Sequence, residues 1–213
     1  MEYLILSDLH INKNDSSKKV QYLLKTIQNY KNIILNGDFY ESILNTPDEI
    51  INGKFKPFIE ALKAKNTYYI YGNHDPKKYS EKLALYVSKW QGRFLKLDLG
   101  KYKYHIEHGD RLHREFSLRN TAEKRFRLNI TLILEHYLDF LVQIIGSNWN
   151  DIVRKNLQND KLVKKDEILV YGHTHHKIFD LKNKIINGGF NNFGKSSFVI
   201  LSENEPQLKF FNY

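Results

Sequence analysis

Asp8 and His10 in "SDLH", Asp38 in "NGDFYE", Asn73 and His74 in "YGNHD", His108 in "EHGD", and His173 and His175 in "YGHTH" share a position as well as a chemistry. Each set closes an apolar, β-prone run. Carboxylate, imidazole and amide oxygen are the donors that hold divalent cations. A pair of cations about 3.5–4 Å apart can grip both the attacking and the departing oxygen of a phosphoryl displacement. Such a pair needs one ligand able to bridge, and a carboxylate has two oxygens for the task. The chain has no cysteine, which excludes disulfides, thiolate zinc sites and cysteine nucleophiles. Any metal therefore falls to His, Asp, Glu, Asn or backbone oxygen. Mixed nitrogen and oxygen donors suit Mn²⁺ first, with Fe or Zn²⁺ as alternatives, better than Mg²⁺ or Ca²⁺. Read alone, "YGNHDP" is equally a turn, since Gly, Asn, Asp and Pro all form loops.

The elements that must position these residues are short strands. Tyr3–Leu6, Asn32–Leu35, Thr67–Ile70, Lys103–Ile106 and Ile168–Val170 are the β-prone runs, and helical spacing over 16–30 and 57–64 separates the first three. Alternating strands and helices imply a largely parallel sheet, and in such sheets sites form beyond the carboxyl ends of the strands. After residue 176 the runs "KIFDL", "KIINGG", "SSFVILS" and "QLKFFNY" follow closely without helices, which implies antiparallel strands or hairpins. With 213 residues, 41 % of them hydrophobic, the expectation is one domain over 1–213. The opening "MEYLILSDLH" reads as a strand rather than a leader, so a cytoplasmic location is expected. A net charge of +9 favours anionic partners.

A helical insertion is expected over 111–165. Its first part carries Arg111, Arg114, Arg119, Arg125 and Arg127, and guanidinium grips phosphate with two parallel hydrogen bonds. Arg111, Arg114 and His113 are the candidates for substrate phosphate. The stretch 128–145 is apolar on most faces, with Thr131, Glu135, Asp139 and Gln143 as a narrow polar line. It reads as a packed helix, a homodimer contact or a greasy wall for a lipid-bearing substrate, with peripheral membrane contact open and a membrane span excluded by its charges.

The motifs D-x-H, G-D-x-x-[DE], G-N-H-[DE], H-G-D and G-H-x-H occur in that order between residues 8 and 175. Through them the chain resembles the calcineurin-like metallophosphoesterase superfamily. The resemblance implies an α/β fold, an αββα sandwich of two mixed β-sheets flanked by helices. It implies two divalent cations bridged by Asp38, one completed by Asp8, His10 and His175, the other by Asn73, His108 and His173. A metal-bridging hydroxide would attack the phosphate ester, His74 would assist the leaving group, Glu41 would orient His74, and Asp75 would fix the loop. Because "GHTH" serves both metals in that superfamily, its backbone must depart from a plain strand. Length, the "DLH" start and the insertion are also similar to the UDP-2,3-diacylglucosamine diphosphatase family, although histidine stands at 74 where that family has arginine. A nuclease or cyclic-nucleotide phosphodiesterase and a non-catalytic scaffold are the further alternatives; the substrates implied are small phosphate compounds, a nucleotide-sugar or nucleic acid. "NGG" at 187–189 reads either as a turn lining the site or as a hairpin turn. His105, His113, His136 and His176 are read as structural or solvent-facing, with His113, which closely follows "HGD", as the exception.

Overall fold

The computed structural model describes residues 1–112, 151–157, 159–191 and 194–212. A continuous apolar strand such as β1 (Tyr3–Leu6) is buried along its whole length, which is how a strand covered on both faces reads. Leu4 and Leu6 join Ile33, Leu35 and Tyr69 in a cluster under the helices, whereas Tyr3 and Ile5 join Ile34 and Ile70 in a cluster between two sheets. The helices on the first face are α1 (Ser17–Ile27), α2 (Pro47–Asn52), α3 (Lys56–Lys63) and α4 (Lys77–Val87). Ser16 caps α1 by accepting from Lys19 N, and Thr46 with Glu49 forms a capping box on α2. These caps satisfy amides that have no partner inside the helix.

The first sheet runs β11-β10-β1-β2-β3-β4, with β2 (Asn32–Asn36), β3 (Asn66–Ile70), β4 (Trp90–Gly92), β10 (Lys195–Leu201) and β11 (Gln207–Asn212). The second runs β5-β6-β7-β9-β8, with β5 (Phe94–Leu99), β6 (Tyr102–Glu107), β7 (Ile168–Tyr171), β8 (Ile178–Asp180) and β9 (Ile185–Asn187). β1 to β4 are parallel, as are β6, β7 and β9, while β5, β8, β10 and β11 join antiparallel. Both sheets are mixed. Tyr104, Ile106, Val170, Ile186 and Val199 meet Ile5 and Ile34 between them. On the far face of the second sheet, the helical residues 151–157 bring Val153 against Leu169, Tyr171 and Ile185.

The five expected strands occur, with β2 and β7 ending one residue later than read, β3 starting one residue earlier and β6 extending one residue at each end. α2, α4, β4 and β5 go beyond that expectation. The hairpins after residue 176 are β8–β9 and β10–β11, but β9 also pairs parallel with β7. Replacing Ile34, fully buried on the central strand β2, by Ala should lower stability by about 2–5 kcal/mol through lost burial and a residual cavity. Urea denaturation measures it, and a change under about 0.5 kcal/mol, the size typical of surface substitutions, would contradict the layered core.

Candidate metal centre

The carboxyl ends of β1, β2, β3, β6 and β7 converge, and backbone hydrogen bonds lace them together. Asp8 N donates to the Gly37 carbonyl (3.1 Å), His10 N to that of Asp38 (2.9 Å), and Gly172 N to that of His108 (3.0 Å). Asp8, His10, Asp38, His173 and His175 have φ of 53°, 43°, 51°, 65° and 58°. Such a left-handed backbone costs a residue with a Cβ about 1–3 kcal/mol and gathers at functional sites. Among the described non-glycine residues only Lys184 shares it. The "HTH" backbone therefore departs from a plain strand, as the sequence implied. His173 groups with Asp38 and His108, whereas His175 groups with Asp8 and His10.

Asp38 is at the centre. Its Oδ2 is 3.1 Å from His108 Nε2 and 4.0 Å from both His10 Nε2 and His74 Nε2, and its Oδ1 accepts from His74 N at 2.8 Å. Around Asp8 Oδ1 stand His175 Nε2 at 3.4 Å and His10 Nε2 at 3.9 Å, and the two Nε2 atoms are 3.1 Å apart. Both oxygens of Asp8 accept from His173 N at 3.1 Å. Asn73 Oδ1 lies 3.1 Å from His108 Nε2. Asp8, Asp38 and His108 are closed off from water, whereas Asn73 is exposed and the His74 side chain is 23 % exposed. The cluster thus opens on the Asn73–His74 side.

Two carboxylates behind the cluster hold it in shape. Glu41 reaches His10 Nδ1 at 2.6 Å and His74 Nδ1 at 2.8 Å. Asp75 accepts from Asp38 N (3.0 Å) and Gly72 N (2.7 Å) on Oδ1, and from Phe39 N (2.9 Å) and Tyr69 Oη (2.5 Å) on Oδ2. It ties the β2 loop to the β3 loop without facing the cluster. Burial alone would lower the His74 and His108 imidazoles, but carboxylates outweigh it and carry each to about 10: Glu41 then Asp38 for His74, Asp38 for His108. Burial works to raise Asp38 and Glu41, yet the histidines hold both well below the carboxylate range. Burial and then Asp38 push the Asp75 carboxyl up to about 7, opposed by its hydrogen-bond donors. Four donors aimed at two oxygens fit its ionised form.

Glycine is needed where backbone approaches these carboxylates. A Cβ on Gly72 would lie 2.2 Å from Asp38 Oδ1, and one on Gly172 would lie 2.2 Å from Asp8 Oδ2. Support also comes from residues with no motif. Asn187 Nδ2 donates to the Gly172 carbonyl (3.0 Å) and Thr174 Oγ1 (2.7 Å), so "NGG" is a brace beneath "GHTH" and joins the two sheets rather than forming a hairpin. Asn191 donates from N to the Asp8 carbonyl (3.1 Å) and from Nδ2 to that of Ser7 (2.8 Å), and Phe190 stacks on His175 at 5.4 Å. Only Asn187 carried a sequence signal, its place in an Asn-Gly-Gly run.

All seven expected ligands, with His74 and Glu41, come together; Asp75 stands one layer behind. The Arg111 guanidinium is engaged by two carboxylates: Nε bonds Glu107 at 2.6 Å and the two terminal nitrogens bond Asp160. A guanidinium engaged by two carboxylates has little of its fork left for phosphate. His105 is fully buried, stacked on Phe94 at 5.0 Å and near Glu107 and Glu167. His113, Arg114, His136, and the helix and dimer contact expected over 128–145, lie outside the described residues.

The calcineurin-like phosphoesterase profile matches residues 1–177. The chain belongs to that family. Among solved structures, YfcE, a phosphoesterase from E. coli, has a TM-score of 0.50 at 14 % identity over 100 % of this chain and 99 % of its own. A single mutant of Vps29 from Entamoeba histolytica has a TM-score of 0.47 at 13 % identity, again over 100 % and 99 %. At such identity the likeness to YfcE shows the fold. No curated protein matches the chain in sequence. No described helix is long and apolar enough to cross a membrane.

Asp75→Asn should lower the denaturation midpoint, because an amide has one acceptor oxygen for four donors and each stranded donor costs about 1–3 kcal/mol. Thermal melting tests it; an unchanged midpoint would deny Asp75 its anchoring role.

Proposed function

We propose that the protein hydrolyses phosphate esters with two divalent cations, one held by Asp8, His10 and His175, the other by Asn73, His108 and His173, with Asp38 shared. The observation that carries this reading is the position of Asp38 Oδ2, 3.1 Å from His108 Nε2 and 4.0 Å from His10 Nε2, between the two groups. The donors fit cations. His10 Nδ1 bonds Glu41 and His108 Nδ1 bonds the Asn36 carbonyl (3.1 Å), so each ring turns Nε2 to the cluster, as metal-bound imidazoles do. Nitrogen with carboxylate and amide oxygen favours Mn²⁺, with Fe or Zn²⁺ as alternatives. When bound, such cations neutralise phosphate charge and acidify water near neutral pH.

The chain's own groups account for the rest. Asn73 adds oxygen without charge, which keeps its site electron-poor. His74 stands at the open side with Nδ1 tied to Glu41, which turns Nε2 towards the cluster, where it would meet an incoming phosphoryl group. Held protonated by Glu41 and Asp38, it steadies the phosphoryl oxygens and delivers its Nε2 proton to the departing oxygen as the P–O bond breaks. Water supplies the hydroxyl that replaces the leaving group. An acid at this position helps an alkoxide more than a phosphate, which leaves readily unaided. We therefore favour a mono- or diester over the diphosphate of a nucleotide-sugar lipid. Residues 1–177 match the family and no ligand position has been lost, which weighs against a non-catalytic scaffold.

His74→Ala should keep two metal equivalents and lose about 10²–10⁴-fold in kcat/KM on alkyl phosphate esters, with p-nitrophenyl esters affected less. Equal losses on both would remove the leaving-group role. Asp38→Asn should fail to hold two equivalents by elemental analysis of Mn²⁺-reconstituted protein; full occupancy would remove the bridge.

A further inference from the structure

We propose that Glu41 is a shared positioning residue, one carboxylate that fixes the His10 ring for metal ligation and the His74 ring for handling phosphate. This rests on the phosphoesterase reading above. The sequence offered Glu41 only as a partner of His74. Glu41 is buried, with Oε1 2.6 Å from His10 Nδ1 and Oε2 2.8 Å from His74 Nδ1. The two rings stand edge to face, 4.8 Å apart at 89°. The backbone beneath is pinned: Glu41 N donates to the Ile11 carbonyl (3.1 Å), and the Glu41 carbonyl accepts from Leu44 N, Asn45 N and Asn45 Nδ2.

A carboxylate has acceptors only, so both rings must present Nδ1–H to it. Both Nε2 atoms then face inward, 4.0 Å from the same Asp38 oxygen. Neither close relative of glutamate can do this. Glutamine has one acceptor and one donor group, so at one ring its amide N–H meets Nδ1 and forces the ring proton to Nε2. Aspartate is one methylene shorter and, from the same pinned backbone, cannot span both rings. The cost of changing Glu41 therefore appears at two places with different readouts.

The test uses the full chain with Glu41→Gln and Glu41→Asp, each alone and combined with His74→Ala. Mn²⁺ binding is followed by calorimetry, and the hydrogen-bonded ring N–H protons by NMR of the metal-free protein. Wild type and His74→Ala should bind Mn²⁺ alike. Glu41→Gln should weaken binding about 10- to 100-fold where its amide N–H takes the His10 ring, or cost the His74 ring its N–H hydrogen bond where it takes the other. Wild type should show two downfield ring N–H signals assigned to His10 and His74; the His10 signal should survive His74→Ala, and one of the two should vanish or shift in Glu41→Gln. Glu41→Asp should fail in at least one of Mn²⁺ affinity and alkyl-ester turnover, and it carries the test should Glu41→Gln not fold. Wild type without a downfield His10 ring N–H signal, or Glu41→Gln with both ring signals and its Mn²⁺ affinity unchanged, would overturn the proposal, as would wild-type values in both readouts of Glu41→Asp. A wild-type protein that binds no Mn²⁺ would instead overturn the phosphoesterase reading.

Discussion

A carboxylate taken out of water must find compensating charge or hydrogen bonds, and Asp38 is where this structure meets that demand. Its side chain is almost wholly buried, yet it takes a backbone hydrogen bond from His74 and lies 3.1 Å from the His108 imidazole. With Asp8 and Glu41 also buried, three carboxylates face the inner ends of β1 and β2. The histidines around them supply the balancing charge in the metal-free protein, which is why His74 and His108 are raised and Asp38 and Glu41 lowered. Divalent cations can take over that balancing role, displacing protons from the ligating nitrogens.

The rest of the architecture holds this charge cluster in place. Five candidate ligand positions keep a left-handed backbone, and a local strain of that kind persists only where its surroundings over-determine it. Those surroundings are visible: the ladder between the β1 and β2 loops, Asp75 with its four donors, and the Asn187 and Asn191 amides beneath the "GHTH" and "SDLH" turns. Gly72 and Gly172 let backbone pass where a single methyl would strike a carboxylate oxygen. The two-sheet core behind the loops keeps the ends of β1–β3 opposite those of β6 and β7.

Much of this was legible because the same residues had to satisfy two demands. A fully buried strand such as Tyr3–Leu6 reads as an apolar run, and a polar group at its end stands out against it. The ligand motifs were therefore visible by type and position. β5 was equally legible in principle, since Leu95, Leu97 and Leu99 alternate with Lys96 and Asp98. Short elements such as α2 and β4 offer too few residues for a period to register. The Asn191 brace could not be read, because an asparagine that supports a loop through a contact such as that to Ser7 has no local pattern. The ion pairs of Arg111 were hidden for a related reason: its partners Glu107 and Asp160 come from opposite ends of a long chain excursion. The second task of Glu41 likewise depends on His10, 31 residues away.

Diffraction from crystals soaked in Mn²⁺, recorded where manganese scatters anomalously, tests the central claim most directly. The account predicts two anomalous peaks about 3.5–4 Å apart, one beside His10 and His175, the other beside His108 and His173, with an Asp38 oxygen between them. A single peak, or a pair that Asp38 does not touch, would contradict it.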